Sequence, residues 1–149
     1  MRKLFYVFGI TLLLIGCKTA KIGGNVGGLT NNETPRAKQE LLNDPRYTTD
    51  ETYGYTAENP IMVGGGMNGP IHERRFLDTL AGPNGERIRY SRKGSCCMFK
   101  TENALFGGEM GLLDMYEIKY RGLKTPIILY LNMYDLDILK VPVGFTLRK

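Results

Sequence analysis

A histidine and an arginine stand one helical turn apart near the middle of the chain. His72 and Arg75 belong to a His-Glu-Arg-Arg run at the predicted start of a helix. Residues three apart share one helical face, so the two basic side chains could together contact an anionic group. The alternative is a solvated first turn, where the helix dipole favours the glutamate. A single histidine excludes a multi-histidine metal site within the chain, and we expect no catalytic constellation.

Two adjacent cysteines, Cys96 and Cys97, follow Gly94 and Ser95. In an oxidising compartment three arrangements are open: a disulfide between the two neighbours, two separately buried thiols, or a bridge to another molecule. Neighbouring residues of a regular strand point to opposite faces, so a bond between them requires a distorted strand, which Gly94 favours. Because no C-x-x-C motif is present, a structural role is favoured over redox catalysis.

A glycine-rich run at residues 63–70 formally matches the pattern G-x-G-x-x-G between a strand and a helix. Backbone amides in such a loop can bind an anion. The preceding strand is short and no doubly wound pattern surrounds it, so we expect a plain connection and no cofactor.

Several tyrosines fall on predicted strands and could line one face of the sheet. Such a face would suit a partner, a glycan or a peptide. The same spacing suits a core beneath a helix, which is the interpretation that we favour. The candidate ligand or partner contacts are Tyr116, Tyr120, Tyr130 and Tyr134 with His72 and Arg75, and Tyr90 belongs to the same set.

One helix and four to five strands must position these residues. The helix runs from Asn68-Gly69-Pro70 to Gly82-Pro83, with Phe76, Leu77, Leu80 and the stem of Glu73 on one stripe. Strands are predicted at 61–63, at 86–92 with an extension at 96–99, at 112–121, at 127–134 and, as an edge strand, at 141–145. The 127–134 run is apolar on both faces, which predicts a central strand. The fold class is α+β: a four- to five-stranded antiparallel or mixed sheet with one main packed helix.

The first residues of the chain have the pattern of an export signal. Arg2 and Lys3 precede an apolar stretch of about a dozen residues, which is too short to span a hydrocarbon core of about 30 Å. The stretch ends in Leu-Ile-Gly-Cys at residues 14–17, which resembles the lipobox of bacterial lipoproteins. The resemblance implies cleavage before Cys17 and lipidation of its thiol, with palmitate among the acyl chains. An ordinary secretory signal is the alternative.

The predicted organisation has three parts. Residues 1–16 form the lipoprotein signal peptide, and 17–34 comprise the lipidated cysteine and a flexible glycine- and asparagine-rich tether. Residues 35–149 form one small α+β domain, opened by a short helix at 35–42.

The charge of the chain does not identify a partner. It carries 20 basic and 15 acidic side chains, and loss of the two basic residues of the signal lowers the net charge from +5 to +3. That excess gives no reason to expect nucleic acid. Lys18 stands where an inner-membrane retention signal carries aspartate, so we expect the outer membrane, facing the periplasm.

Motifs spread from Tyr53 to Tyr134 resemble a family of small bacterial lipoproteins whose activity is uncharacterised. The matching runs are 53–56, 58–61, 63–65, 73–77, 82–86, 94–97, 99–100 and 131–135. Members are often named 2-dehydro-3-deoxyphosphooctonate aldolase. We do not expect that activity here, because the enzyme's barrel takes roughly 250 residues and its phosphoenolpyruvate substrate is cytoplasmic.

The sequence therefore predicts a lipid-anchored cell-envelope protein that acts as a binding or interaction module and is not an enzyme. Its partners would be the membrane, through the lipid, and another envelope protein or a ligand. The alternative is a small envelope enzyme that uses His72, Arg75 and the Cys96-Cys97 pair.

Overall fold

The computed structural model describes residues 43–149, and these residues have the α+β fold that the sequence predicts. The predicted helix at 35–42, the signal and the tether lie outside them. The elements in chain order are β1 (Ile61–Met62), α1 (Gly69–Thr79), β2 (Leu80–Ala81), β3 (Arg89–Lys100), β4 (Met110–Lys119), β5 (Ile127–Asn132) and β6 (Thr146–Leu147). Short 3-10 turns at Gly66–Asn68 and Leu105–Gly107 lie in two of the connections.

Four of the strands form one mixed sheet in the order β1-β5-β4-β3. The β1 and β5 strands are parallel, and the other two pairs are antiparallel. Strand β5 has a neighbour on each side, as its apolar sequence predicts. The predicted break between 86–92 and 96–99 is instead one continuous strand, β3, with two shifts of register.

Helix α1 packs on the sheet through the stripe that the sequence predicts. Phe76 and Leu77 are buried against sheet residues that include Ile118 and Leu129, and Leu80 continues the same cluster. The helix begins with proline in its first turn, where no backbone donor is lost. Burial of this apolar stripe is what holds the helix in place.

The C-terminal segment differs from the sequence prediction. The predicted edge strand at 141–145 is wrong: of that run, Val141 forms a single bridge, with Tyr47. The strand lies directly after this run, at β6, and pairs with β2 to form a separate two-stranded sheet. Pro142 and the turn around Gly144 interrupt the earlier run, because proline lacks a backbone donor and Gly144 has a positive φ of 87°.

Gly69 is required by a close approach and not by its φ angle. A Cβ atom at this position would stand 2.3 Å from the Cβ of Met133. We predict that Gly69→Ala destabilises the protein by about 1–3 kcal/mol, although alanine is the better helix former by about 1 kcal/mol. Urea unfolding measures the change.

The control for this substitution removes the atom of Met133 that the new Cβ would meet. In Gly69→Ala/Met133→Gly, the loss of the Met133 Cβ should make the alanine neutral or stabilising relative to Met133→Gly alone. A single Gly69→Ala variant that is as stable as the parent would show that the contact does not constrain the helix.

Candidate functional site

A cavity of about 380 Å³ lies between helix α1 and the C-terminal segment. Its volume falls within the roughly 300–1,000 Å³ of small-molecule pockets, near the lower end. The helix contributes residues at positions 72, 75, 76 and 79, which share one face by their spacing of three and four. The lining residues are Arg46, Val63, His72, Arg75, Phe76, Thr79, Leu139, Lys140, Val141 and Leu147.

The lining of this cavity combines an apolar surface with basic groups. Five of its side chains are apolar, namely Val63, Phe76, Leu139, Val141 and Leu147, and four are basic, namely Arg46, His72, Arg75 and Lys140. Within residues 43–149, no acidic side chain lines it. Such a cavity is complementary to a ligand that has an apolar body and a negatively charged group.

The histidine ring is held by the glycine-rich loop beside it. Nδ1 of His72 lies 3.3 Å from the carbonyl oxygen of Val63. A carbonyl oxygen can only accept, so Nδ1 carries the proton and Nε2 is the nitrogen available to a ligand. The ring also packs on Gly65, where a Cβ atom would stand 2.9 Å from the ring atoms Cγ and Nδ1. The glycine run therefore positions His72.

Two backbone amides of the same loop are hydrogen-bonded within the protein. The amide of Gly66 donates to the carbonyl of Met133 at 3.0 Å, and the amide of Asn68 donates to the carbonyl of Gly65 at 2.9 Å. Both donors are therefore already used within the protein. The expected plain connection between β1 and α1 agrees with this arrangement.

The basic groups of the cavity differ in how they are paired. Arg46 binds the carboxylate of Asp44, with Nη2 to Oδ2 at 2.6 Å, and these hydrogen bonds lower the pKa of Asp44. Arg75 and Lys140 form no ion pair with any other residue of 43–149. They are thus the cations best placed to meet an anion, and His72 lies one helical turn from Arg75.

Three tyrosines hold the C-terminal wall of the cavity in place. The hydroxyl oxygens of Tyr47 and Tyr53 accept from the amides of Leu147 and Lys140, both at 3.2 Å. The hydroxyl of Tyr55 donates to the carbonyl of Val143. All three rings also pack on the hydrophobic core. This role was missed by sequence reasoning, although large aromatic side chains in an otherwise polar stretch, 46–58, were the available signal.

A second group of polar residues is buried between the helix and the sheet. Glu73 is 0% exposed, and its Oε2 accepts from the hydroxyl of Tyr116 at 2.9 Å. Asp114, 4% exposed, receives two hydrogen bonds from the guanidinium of Arg92, at 2.6 and 2.7 Å, and one from Ser95 at 2.8 Å. These bonds fix the polar group within an otherwise apolar layer.

The carboxyl group of Glu73 keeps its proton to a higher pH than a solvated glutamate does, because its pKa is raised. Burial, and then the charge of Asp114, raise its pKa to about 7. Its Oε1 atom is buried without a hydrogen-bond partner among residues 43–149. A neutral carboxyl group removes most of the cost of leaving such an atom unpaired.

The cysteine pair forms the first of the three predicted arrangements, a disulfide between neighbours. Cys96 and Cys97 are bonded to each other, and Cys97 has a φ of +56°. The β3 register shifts between Cys96 and Met98, so the two side chains are not held on opposite faces. Neither cysteine lines the cavity, so the structure does not bring the pair together with His72 and Arg75.

The predicted single tyrosine face is wrong. Tyr116 is paired with Leu129, whereas Tyr130 is paired with Met115, the neighbour of Tyr116, so the two tyrosines lie on opposite faces of the sheet. Tyr116 is also only 3% exposed and cannot contact a partner. It packs edge-to-face on Tyr90.

The remaining tyrosines lie at the ends of the strands. Tyr120 packs on Phe145 with ring centroids 6.4 Å apart, and Tyr134 packs on Phe99 at 5.8 Å. Neither lines the cavity. The candidate contacts that share the cavity are therefore His72 and Arg75 alone.

Within residues 43–149, neither a group of metal ligands nor a membrane-spanning helix is found. Asp135 lies in a polar loop, where hydrogen bonds from Thr101, Asn103 and Asn132 outweigh burial and lower its pKa. No group of potential metal ligands occurs within residues 43–149. In the same range, no helix has the length and apolar character needed to cross a bilayer.

Comparisons with protein-family models, with curated proteins and with solved structures found no match to this chain.

We predict that Glu73→Gln changes how the stability of the protein depends on pH. The pKa of Glu73 is raised on folding from 4.5 to about 7, so the folded state binds the proton more tightly. This tighter proton binding stabilises the folded state fully below pH 4.5, and the stabilisation is lost as the pH rises to about 7. The free energy of unfolding of the parent falls by roughly 3 kcal/mol over this range. The variant, which has no proton to lose, should gain stability over the parent by that amount between pH 5 and pH 8.

The measurement is the free energy of urea unfolding at pH values from 5 to 8. Glu109→Gln, a substitution of an exposed carboxylate, is the control and should follow the parent curve. Parallel curves for Glu73→Gln and the parent would contradict a proton held on Glu73.

Proposed function

We propose that this protein is a lipid-anchored module of the bacterial cell envelope that binds a small anionic ligand. The binding site is the cavity between α1 and the C-terminal segment. The observation that carries the proposal is the combination of an apolar lining with His72, Arg75 and Lys140 in one cavity. A pocket with an apolar wall and a few polar groups is the usual form of a small-molecule site.

The anchored location is supported by the sequence alone. The basic start, the short apolar stretch and the lipobox-like residues 14–17 agree with one another, and the tether at 18–34 would separate the binding module from the membrane surface. The resemblance to small bacterial lipoproteins also favours this location. We place the protein at the outer membrane, facing the periplasm.

An enzyme that uses His72, Arg75 and the cysteine pair is the less supported alternative. The cysteines are bonded to each other and do not line the cavity. A bonded pair has no thiolate to act as a nucleophile. The buried carboxyl group of Glu73 does not line the cavity either, so no carboxyl group of residues 43–149 is available there as an acid or base.

The anchor is tested by the Cys17→Ala variant. Cells that make the parent protein should incorporate an alkyne analogue of palmitate into it, because the thiol of Cys17 carries the lipid. The variant should lose the label and also lose the processing step that shortens the chain before residue 17. Retention of the label in Cys17→Ala would exclude this cysteine as the anchor.

The cavity is tested by Leu139→Asp, which places a carboxylate among the lining residues. Leu139 is 40% exposed, so its replacement should not disturb the core. We expect binding of the fluorescent probe 8-anilinonaphthalene-1-sulfonate, an apolar anion, to weaken by roughly tenfold or more, since the new charge repels the sulfonate and an apolar contact is lost.

Ile138→Asp is the matched control. Ile138 is the neighbouring residue, is 76% exposed and does not line the cavity. The control should bind the probe like the parent. Equal weakening in both variants, or a parent that does not bind the probe, would rule out the cavity as an anion site.

A further inference from the structure

We infer that the ligand of this cavity is a single-chain amphiphile with an anionic head, such as a fatty-acyl carboxylate. This inference rests on the proposed function and names the class of ligand. It follows from the apolar lining, from the basic groups and from the volume of the cavity.

The apolar lining residues can contact an alkyl chain. Phe76 and Val141 are buried core residues that also border the cavity, at 7% and 3% exposure, and Val63 is exposed by only 2%. These side chains stay in place with or without a ligand because the core holds them. A chain lying against them loses its contact with water at no cost in rearrangement of the protein.

The basic groups can hold the head. Arg75 and Lys140 come from the helix and from the C-terminal segment, and both line the cavity. Nε2 of His72, left available by the bond from Nδ1 to Val63, can add a hydrogen bond when it is protonated. A carboxylate or phosphate bound by these groups would receive charge-assisted hydrogen bonds from both walls.

The volume limits the number of chains. A cavity of about 380 Å³ is near the lower end of the range for small-ligand pockets, which favours one chain over the two chains of a membrane phospholipid. The cavity is also open at its rim, where Leu139 is 40% exposed. A single chain can therefore enter from water without an opening of the core.

The test is a titration of the unacylated mature chain, residues 17–149 with Cys17→Ser, after circular dichroism has shown that it is folded. Hexanoate, octanoate and decanoate displace 8-anilinonaphthalene-1-sulfonate in competition. Each buried methylene contributes about 0.8 kcal/mol, so the affinity should rise by roughly fourfold per CH₂ until the cavity is full. The decyltrimethylammonium cation, with the same chain and the opposite charge, should compete at least roughly tenfold more weakly than decanoate.

Two substitutions on one helix separate the head contact from general charge. Arg75→Gln should weaken decanoate binding by roughly tenfold through the loss of a charge-assisted hydrogen bond. Arg74→Gln removes the same charge one residue away, from a side chain that is exposed and does not line the cavity, and should leave the affinity unchanged. Equal effects of the two variants would overturn the assignment of the head.

The source of the ligand is resolved by comparing two probes. Decanoate stands for a free fatty acid, and 1-decanoyl-lysophosphatidylglycerol stands for a single-chain phospholipid. The tighter of the two identifies the source, and displacement by either one supports the inference.

Two further outcomes would overturn the inference. Displacement that does not depend on chain length would exclude an alkyl ligand, and the decyl cation competing as well as decanoate would exclude an anionic head. In both cases the proposed function would still hold if the parent protein binds the fluorescent probe and Leu139→Asp binds it more weakly.

Discussion

The carboxyl group of Glu73 has no contact with water, and this constraint fixes how the helix lies on the sheet. Its partner is the hydroxyl of Tyr116 on β4, beside an Asp114 that is itself held by Arg92 on β3. A rotation or a one-turn shift of α1 would leave a buried carboxyl group without its partner, which costs several times more than the loss of an exposed contact. An apolar stripe alone tolerates small shifts more easily, so the polar group adds specificity to the apolar packing.

This fixed position of the helix determines what its next face can do. With Glu73 directed to the sheet, the residues at 72, 75, 76 and 79 border the cavity. The opposite wall is built from the C-terminal segment, which is held by the pairing of β6 with β2 and by the hydroxyls of Tyr47, Tyr53 and Tyr55. The cavity therefore exists because two well-anchored elements stand apart, and its walls do not need a ligand to keep them in place.

The long hairpin of β3 and β4 contains two irregularities of register, both in β3. The register of β3 shifts once between Arg92 and Gly94 and again between Cys96 and Met98. After the first shift, Ser95 is paired with Asp114 and its hydroxyl joins the bonds from Arg92. The second shift allows the bond between adjacent cysteines, so the disulfide is part of a bulge in this strand.

The sequence by itself determined the helix, the central strand and the fold class, because these follow from local periodicity. The proline near the start of α1, its apolar stripe at Phe76 and Leu77, and the doubly apolar run of β5 each depend on residues that are close in the chain. The position of His72 and Arg75 on one face of the helix was predictable for the same reason. The alternation of β4 also placed Tyr116 and Ile118 on one face, both of which are buried. The predicted helix ran on toward Gly82-Pro83, whereas α1 ends at Thr79 and Leu80 lies in β2.

Only the tertiary structure decided the rest of the site. Arg46, Lys140 and Leu147 join the helix across separations of many residues, and no local pattern records such contacts. The five tyrosines were assigned to one face because their spacing within single strands was known, whereas the register between strands was not. Tyr130 is paired with Met115 and not with Tyr116, and this offset of one residue puts the two tyrosines on opposite faces. The apolar stripe predicted the position of the stem of Glu73, but not the burial of its carboxyl group. A charged group on a helix is usually solvated until a partner such as Tyr116 is brought to it by the fold.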